Sequence, residues 1–152
     1  MSTIRKTIRD YKIGDIAVFT KTITETDVAL FGAISGDFYP IHFNEALAAK
    51  TRFGGRIAHG IITVGLISTV LGVPLQGPGT CAAVERGMTL RFLAPVRFGD
   101  TITAKATVTE VIEDRHIVNL DLSCTNQNGV EVLSGTAQLK VLKEVDVVCE
   151  GE

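Results

Sequence analysis

Gly60-Ile61-Ile62-Thr63-Val64-Gly65-Leu66-Ile67-Ser68-Thr69-Val70-Leu71 is apolar nearly all round, and its reading decides the fold. A helix that is hydrophobic on every side is enclosed, either by protein or by lipid. Lipid is the poorer choice. The run 60–75 contains Thr63, Ser68, Thr69 and three glycines and falls short of the roughly 20 apolar residues a spanning helix needs. The pattern therefore predicts a buried core helix over residues 57–71. Gly65, Ser68 and Gly72 fall close to one of its faces, where small residues would let a sheet approach closely.

Downstream of that helix the periodicity changes to two. Ile102, Ala104, Ala106 and Val108 alternate with polar residues; so do Val118, Leu120, Leu122 and Cys124, and then Ala137, Leu139 and Val141. Glu113-Asp114 and Asn126-Gln127-Asn128-Gly129 supply turns, the second being the stronger hairpin signal. A further long strand is expected over residues 81–93, bent at Gly87. Upstream, a short strand is expected over 17–22. Thr24-Glu25-Thr26-Asp27 then resembles a capping box opening a helix with Leu30, Phe31 and Ile34, which Gly36 stops. Pro40 should keep the next residues extended or turned, placing Asp37 and His42 on a loop. Asn44 is set to cap a short helix. One buried helix early and antiparallel strands late make an α+β domain, expected as a single hot-dog unit over 1–152 whose sheet wraps the helix, with a different α+β sandwich left open by periodicity alone.

The composition narrows the function classes. The chain has 152 residues, the usual size of one domain, with 45% hydrophobic and 21% charged residues, an ordinary globular balance. A formal net charge of −2 with scattered Lys and Arg lacks the electrostatic footprint of a nucleic-acid binder. Cys81, Cys124 and Cys149 are widely spaced and form no Cys-x-x-Cys pair, so a reducing cytoplasm is expected rather than a disulfide framework or zinc knuckle. The charged N-terminal residues do not read as a secretory signal, and neither a nucleotide fingerprint nor metal-ligand spacing is seen.

Ser35-Gly36-Asp37-Phe38-Tyr39-Pro40-Ile41-His42, then residues 46–49, His59-Gly60-Ile61 and the run from Leu90-Arg91-Phe92 through Pro95-Val96-Arg97-Phe98-Gly99-Asp100, follow one another in an order that resembles the MaoC-like R-specific enoyl-CoA hydratases. The resemblance covers about residues 14–141. It implies Asp37 and His42 as an acid–base pair that adds water to a trans-2-enoyl thioester to give the R-3-hydroxyacyl product. The substrate would be an acyl-CoA, with no metal and no cofactor beyond the coenzyme A it carries, and the protein a homodimer or higher homo-oligomer.

The residue types suit that chemistry. Residues five apart on one helix diverge by about 140°, so a break at Pro40 is needed for Asp37 and His42 to meet one water. A carboxylate beside an imidazole supplies both the base and the acid, and which one holds the proton at each step stays open because their titrations are coupled. The thioester carbonyl gains negative charge as the enolate forms and needs a waiting donor. The resemblance gives this role to the Gly60 N–H at the helix start and makes His59 a residue that positions the turn. Ser68 is a candidate for lining the acyl pocket, and Val64, Ile67 and Leu71 for setting its depth. Arg52, Arg56, Arg91 and Arg97 are candidates for the coenzyme A phosphates. The chain departs from the family at Tyr39, where Asn is usual, and this bears on substrate choice. Two rivals follow from the same residues: an acyl-CoA thioesterase on the same fold, and a non-catalytic acyl-CoA-binding dimer.

Overall fold

The structure is a computed structural model that describes residues 6–77 and 82–143. After a short 3₁₀ turn at Ile8–Asp10 the chain forms β1 (Ile16–Thr22), α1 (Glu25–Ser35), α2 (Pro40–Phe43), α3 (Glu45–Ala48) and α4 (Gly60–Gly72). Four long strands follow, β2 (Ala83–Phe92), β3 (Thr101–Ile112), β4 (Ile117–Thr125) and β5 (Glu131–Val141). They build a five-stranded sheet in the order β1-β3-β4-β5-β2, antiparallel at every pairing. The expected bend at Gly87 is present as a register shift between Glu85 and Gly87. The hairpin between β4 and β5 closes where expected, with the Asn126 N–H donating to the Val130 carbonyl and Gly129 in the left-handed region. Cys81, where the expected strand 81–93 begins, and Cys149 lie outside the described residues.

α4 packs against β1 and β3, and the sheet curves around it in the hot-dog arrangement. Thr63, Leu66, Ile67, Val70 and Leu71 form its buried face. Each large aliphatic side chain fully withdrawn from water in this way contributes about 1.5–3 kcal/mol. Two expectations about this helix are corrected. It begins at Gly60 rather than at residue 57, because Ile57 and Ala58 are extended and spend their N–H groups on the carbonyls of Ile41 and Val96. Nor is it enclosed on all sides. Ile61, Gly65, Ser68 and Gly72 form an exposed stripe, and a Cβ at Gly65 or Gly72 would meet nothing within 4 Å. The small residues that admit close helix–sheet packing are on the strands instead, at Ala17, Ala104 and Ala106.

The approach to the site is built by local rules. The Thr24 hydroxyl accepts from the Asp27 N–H and Asp27 accepts in return from the Thr24 N–H, so the capping box holds α1 at its start, and Gly36 ends it with φ at 78°. Val28 and Gly32 bury the inner side of α1, whereas Leu30 and Ile34 face solvent. Pro40 does not begin an extended segment. It occupies the first position of α2, where its missing N–H costs nothing, so His42 lies on a helical turn and only Asp37 remains on the loop. Asn44 caps α3 through the Leu47 N–H, as expected.

Candidate active site

The residues connecting α1 to α4 form a compact cluster above the N-terminus of α4. Asp37, His42 and His59 each place a side-chain donor or acceptor atom within 4.8 Å of the others. His42 is half-buried, and its Nδ1 lies 2.8 Å from the Ile57 carbonyl oxygen. A carbonyl only accepts, so Nδ1 carries the proton and Nε2 is left with a free lone pair. Burial holds His42 below its ordinary pKa; the neighbouring His59 adds to this, while the Ile57 carbonyl and Asp37 oppose it. The Asp37 carboxylate is half-exposed, and its Oδ1 accepts the Tyr39 N–H at 3.2 Å.

The expected contribution of position 39 thus comes from the backbone, which any residue except proline supplies. The Tyr39 side chain is 65% exposed and meets His42 only edge-on, with ring centroids 6.3 Å apart.

Beside His42 is a cavity of about 320 Å³, walled chiefly by Ile57, Gly60, Ile61, Thr63, Phe92, Leu93 and Val132. Its volume lies at the small end of the range for ligand pockets. Larger grooves of about 550 and 650 Å³ run over strand residues, but polar side chains such as Thr, Asn, Gln and Arg line them and they contain no histidine. Gly60 is the first residue of α4, where an N–H has no acceptor within the helix. It also sits under the Phe92 ring so closely that a Cβ there would lie 2.8 Å from a ring carbon. Asp37, His42 and Gly60 are therefore brought to one place.

Ser68 is not. It is on the exposed stripe of α4 and does not line the cavity of its own chain; Thr69, not Ser68, bonds back to the helix, at the Gly65 carbonyl. Val64, Ile67 and Leu71 also lie off the cavity, the last two being core residues. Thr63, buried and lining it, is a residue that sequence patterning misses, because a threonine in an apolar helix carries no distinguishing signal. The four arginines separate cleanly. Arg56 is held by Glu25 at 2.6 Å and Glu45 at 3.3 Å, and Arg97 is spent on the carbonyls of Phe53 and Arg56. Arg91 is exposed on β2 and lines one of the strand grooves rather than this cavity. Arg52 is exposed at the cavity wall.

A family model for the MaoC-like domain matches residues 14–128, which include every element of this cluster. The chain belongs to the MaoC-like dehydratase family. It is 46% identical over 135 residues to a 3-hydroxybutyryl-CoA dehydratase of Methylorubrum extorquens, covering 89% of this chain and 83% of that protein. An (R)-specific enoyl-CoA hydratase of Rhodospirillum rubrum is 44% identical over 87% of this chain and 89% of its own. The solved (R)-hydratase from A. caviae superposes with a TM-score of 0.81 at 35% identity, covering 88% of this chain and 99% of that one. In this MaoC-like chain three acidic or imidazole groups stand close together, but His59 Nε2 faces the Asp37 carbonyl at 2.9 Å and so carries a proton.

Proposed function

We propose that the protein adds water reversibly to trans-2-enoyl-CoA thioesters to give (R)-3-hydroxyacyl-CoA, with Asp37 and His42 as the acid–base pair and the Gly60 N–H as oxyanion donor. The observation that carries this reading is the tautomer of His42. With its Nδ1 proton fixed on the Ile57 carbonyl, Nε2 is ready to accept, and the Asp37 carboxylate is a second acceptor beside it. A water between them donates one hydrogen to each. As its oxygen bonds to C3, one proton passes to the pair, most directly to Nε2, and the resulting imidazolium is stabilised by Asp37. That proton then goes to C2 as the enolate collapses, so the elements of water are added and the pair is restored. The enolate oxygen, meanwhile, is met by the first N–H of α4 with the helix dipole behind it. No redox cofactor or metal enters this balance.

The cavity volume favours short acyl chains, and Arg52 at its wall is the guanidinium placed to meet a coenzyme A phosphate. We also infer a homodimer. Among the described residues the outer edge of β2 has no strand beside it, and Val84, Phe92, Leu93 and the stripe through Ile61, Gly65, Ser68 and Gly72 leave apolar surface beside that edge and on α4. A second copy seated there would bring Ser68 to an interface, and Gly65→Phe should then yield monomers in sedimentation. Among the described residues no helix is long and apolar enough to cross a membrane; a cytoplasmic setting accords with the free, buried Cys124 thiol.

The test is the loss of conjugated enoyl absorbance from crotonyl-CoA. Asp37→Asn and His42→Ala should each lower kcat by about 10²–10⁴-fold, the usual worth of a general acid or base, with circular dichroism unchanged. Wild-type rates in both variants refute the assignment, and release of free thiol would point to thioester hydrolysis instead.

A further inference from the structure

His59 is 2% exposed, and its ring is enclosed by other rings. The His42 imidazole lies 3.8 Å away between centroids, inclined at 31°; Phe31 lies at 4.7 Å and Phe43 edge-on at 5.8 Å. Its Nε2 donates to the Asp37 carbonyl at 2.9 Å and lies 3.9 Å from the Asp37 carboxylate, while its Nδ1 is buried with no hydrogen-bond partner among the described residues. An orphaned buried nitrogen costs free energy that a hydrocarbon ring of the same size would not. Packing alone would favour Phe here.

We propose that His59 is a positioning residue for the hydration: its Nε2–H pins the backbone of Asp37, and its face fixes the plane of His42, so that the two reacting groups converge on one water. The edge of His42 is held by the Ile57 carbonyl and its face by His59, which leaves the ring one orientation. The enclosed stack also disfavours protonation of His42, whose pKa is lowered first by burial and further by His59. The charged or titratable groups around His42 are His59, Asp37, Tyr39 and, across the cavity, Arg52. Burial, the largest cause, and His59 lower the His42 pKa, while the Ile57 carbonyl and Asp37 oppose them.

The inference rests on Asp37 and His42 being the acid–base pair. That reading fails if Asp37→Asn and His42→Ala keep wild-type rates; the His59 inference is tested with those two variants inactive. Crotonyl-CoA hydration is followed against pH for His59→Ala, His59→Phe and His59→Gln, with thermal melting alongside. His59→Ala should lose about 100-fold in kcat, the scale of a 1 Å misplacement of a reacting group, with KM changed by less than about threefold. Its acid limb in kcat/KM should move to higher pH, because water enters and relieves the burial that holds the His42 pKa down. His59→Gln restores the donor and should recover about tenfold of the loss, as one retained hydrogen bond warrants. His59→Phe should melt at or above the wild-type temperature yet remain impaired. The proposal is overturned if His59→Phe has wild-type kcat and an unmoved acid limb, or if the Ala loss comes with neither a pH shift nor rescue by Gln. A His59→Phe protein that fails to fold would assign the residue to stability and overturn it equally.

Discussion

Gly60→Ala separates the chemistry of the α4 terminus from its stability. The added Cβ would lie 2.8, 3.0 and 3.2 Å from three carbons of the Phe92 ring. Ordinary carbon–carbon separations are about 3.5–4.0 Å, so the ring must withdraw by about 0.5–1 Å. Phe92 is 56% exposed, so it has room to swing outward. Overpacking a rigid core costs about 1–3 kcal/mol; here most of that is relieved, and Ala gains part of the roughly 0.8–1 kcal/mol by which it exceeds Gly in a helix. The net change in stability should be within about 1 kcal/mol, a melting shift of about 2–4 °C for a chain of this size. Activity should behave differently. The methyl group leaves the N–H in place but occupies the wall against which, in the proposed reaction, the thioester carbonyl approaches it, and losing the use of one oxyanion donor costs about 10²–10³ in kcat. Crotonyl-CoA hydration and a thermal melt on the same preparation give both numbers. The double variant Gly60→Ala/Phe92→Ala removes the clash with the ring but not the methyl group, and should remain as slow as the single variant. A Gly60→Ala enzyme with kcat within about threefold of wild type, far short of the 10²–10³ that a blocked oxyanion donor costs, would show that the thioester carbonyl does not approach the N–H past the Gly60 Cα and would refute the proposed geometry.

Other sites give independent checks. Arg52→Glu should raise KM for crotonyl-CoA by about tenfold, the 1.4 kcal/mol scale of one partly exposed charge pair, while leaving kcat and the KM for a pantetheine thioester lacking the nucleotide unchanged; equal effects on both substrates would remove Arg52 from the phosphate site. Gly135→Ala should be severely destabilising, beyond about 3 kcal/mol, because its Cβ would lie 2.1 Å from the Thr89 carbonyl oxygen of the paired strand and backbone cannot swing aside; a denaturant midpoint like the wild type's would contradict this. Burial pushes the Tyr11 phenol and the Cys124 thiol each up to about 12, from ordinary values of 10.0 and 9.0. Both are neutral in the folded state when the unfolded chain has begun to ionise. Their contribution is thus whole below about pH 9 and lost between there and about pH 12, and Tyr11→Phe with Cys124→Ala should flatten that decline in urea titrations.

Elements governed by neighbours in sequence are legible without the structure. The capping box at Thr24 and Asp27, the stop at Gly36, the Asn44 cap and the Asn126–Gly129 hairpin each depend on groups within four residues of one another, and each is present. Faces are harder to read. Leu30 and Ile34 resemble the apolar side of α1, yet they are exposed, and the inner side is made by Val28 and Gly32, with Phe43 filling the space over Gly32 that a side chain would take. A small residue that receives a neighbour's ring leaves no hydrophobic signal of its own. The stripe Gly65, Ser68, Gly72 misleads for a similar reason. Small residues mark close approach, but nothing in one chain says whether the approaching surface is its own sheet or another molecule.

Pro40 shows how the same limit bears on the site. The rule that proline ends a helix locates the boundary correctly and misjudges what lies beyond it, because the property that stops one helix, a missing N–H, is harmless at the first position of the next. The outcome matters chemically. On an extended loop His42 would keep its rotational freedom; on α2 its backbone is fixed, and Nδ1 reaches the Ile57 carbonyl 15 residues away. That carbonyl belongs to the segment just before α4, and Ile57 in turn donates its N–H to the carbonyl of Ile41, beside His42. The proposed oxyanion donor and the proposed base are therefore held by one reciprocal pair of bonds between α2 and the α4 entry. Sequence patterning finds each residue by its local signal but cannot register bonds that cross 15 positions, and these bonds are what turn an Asp, a His and a Gly into one site.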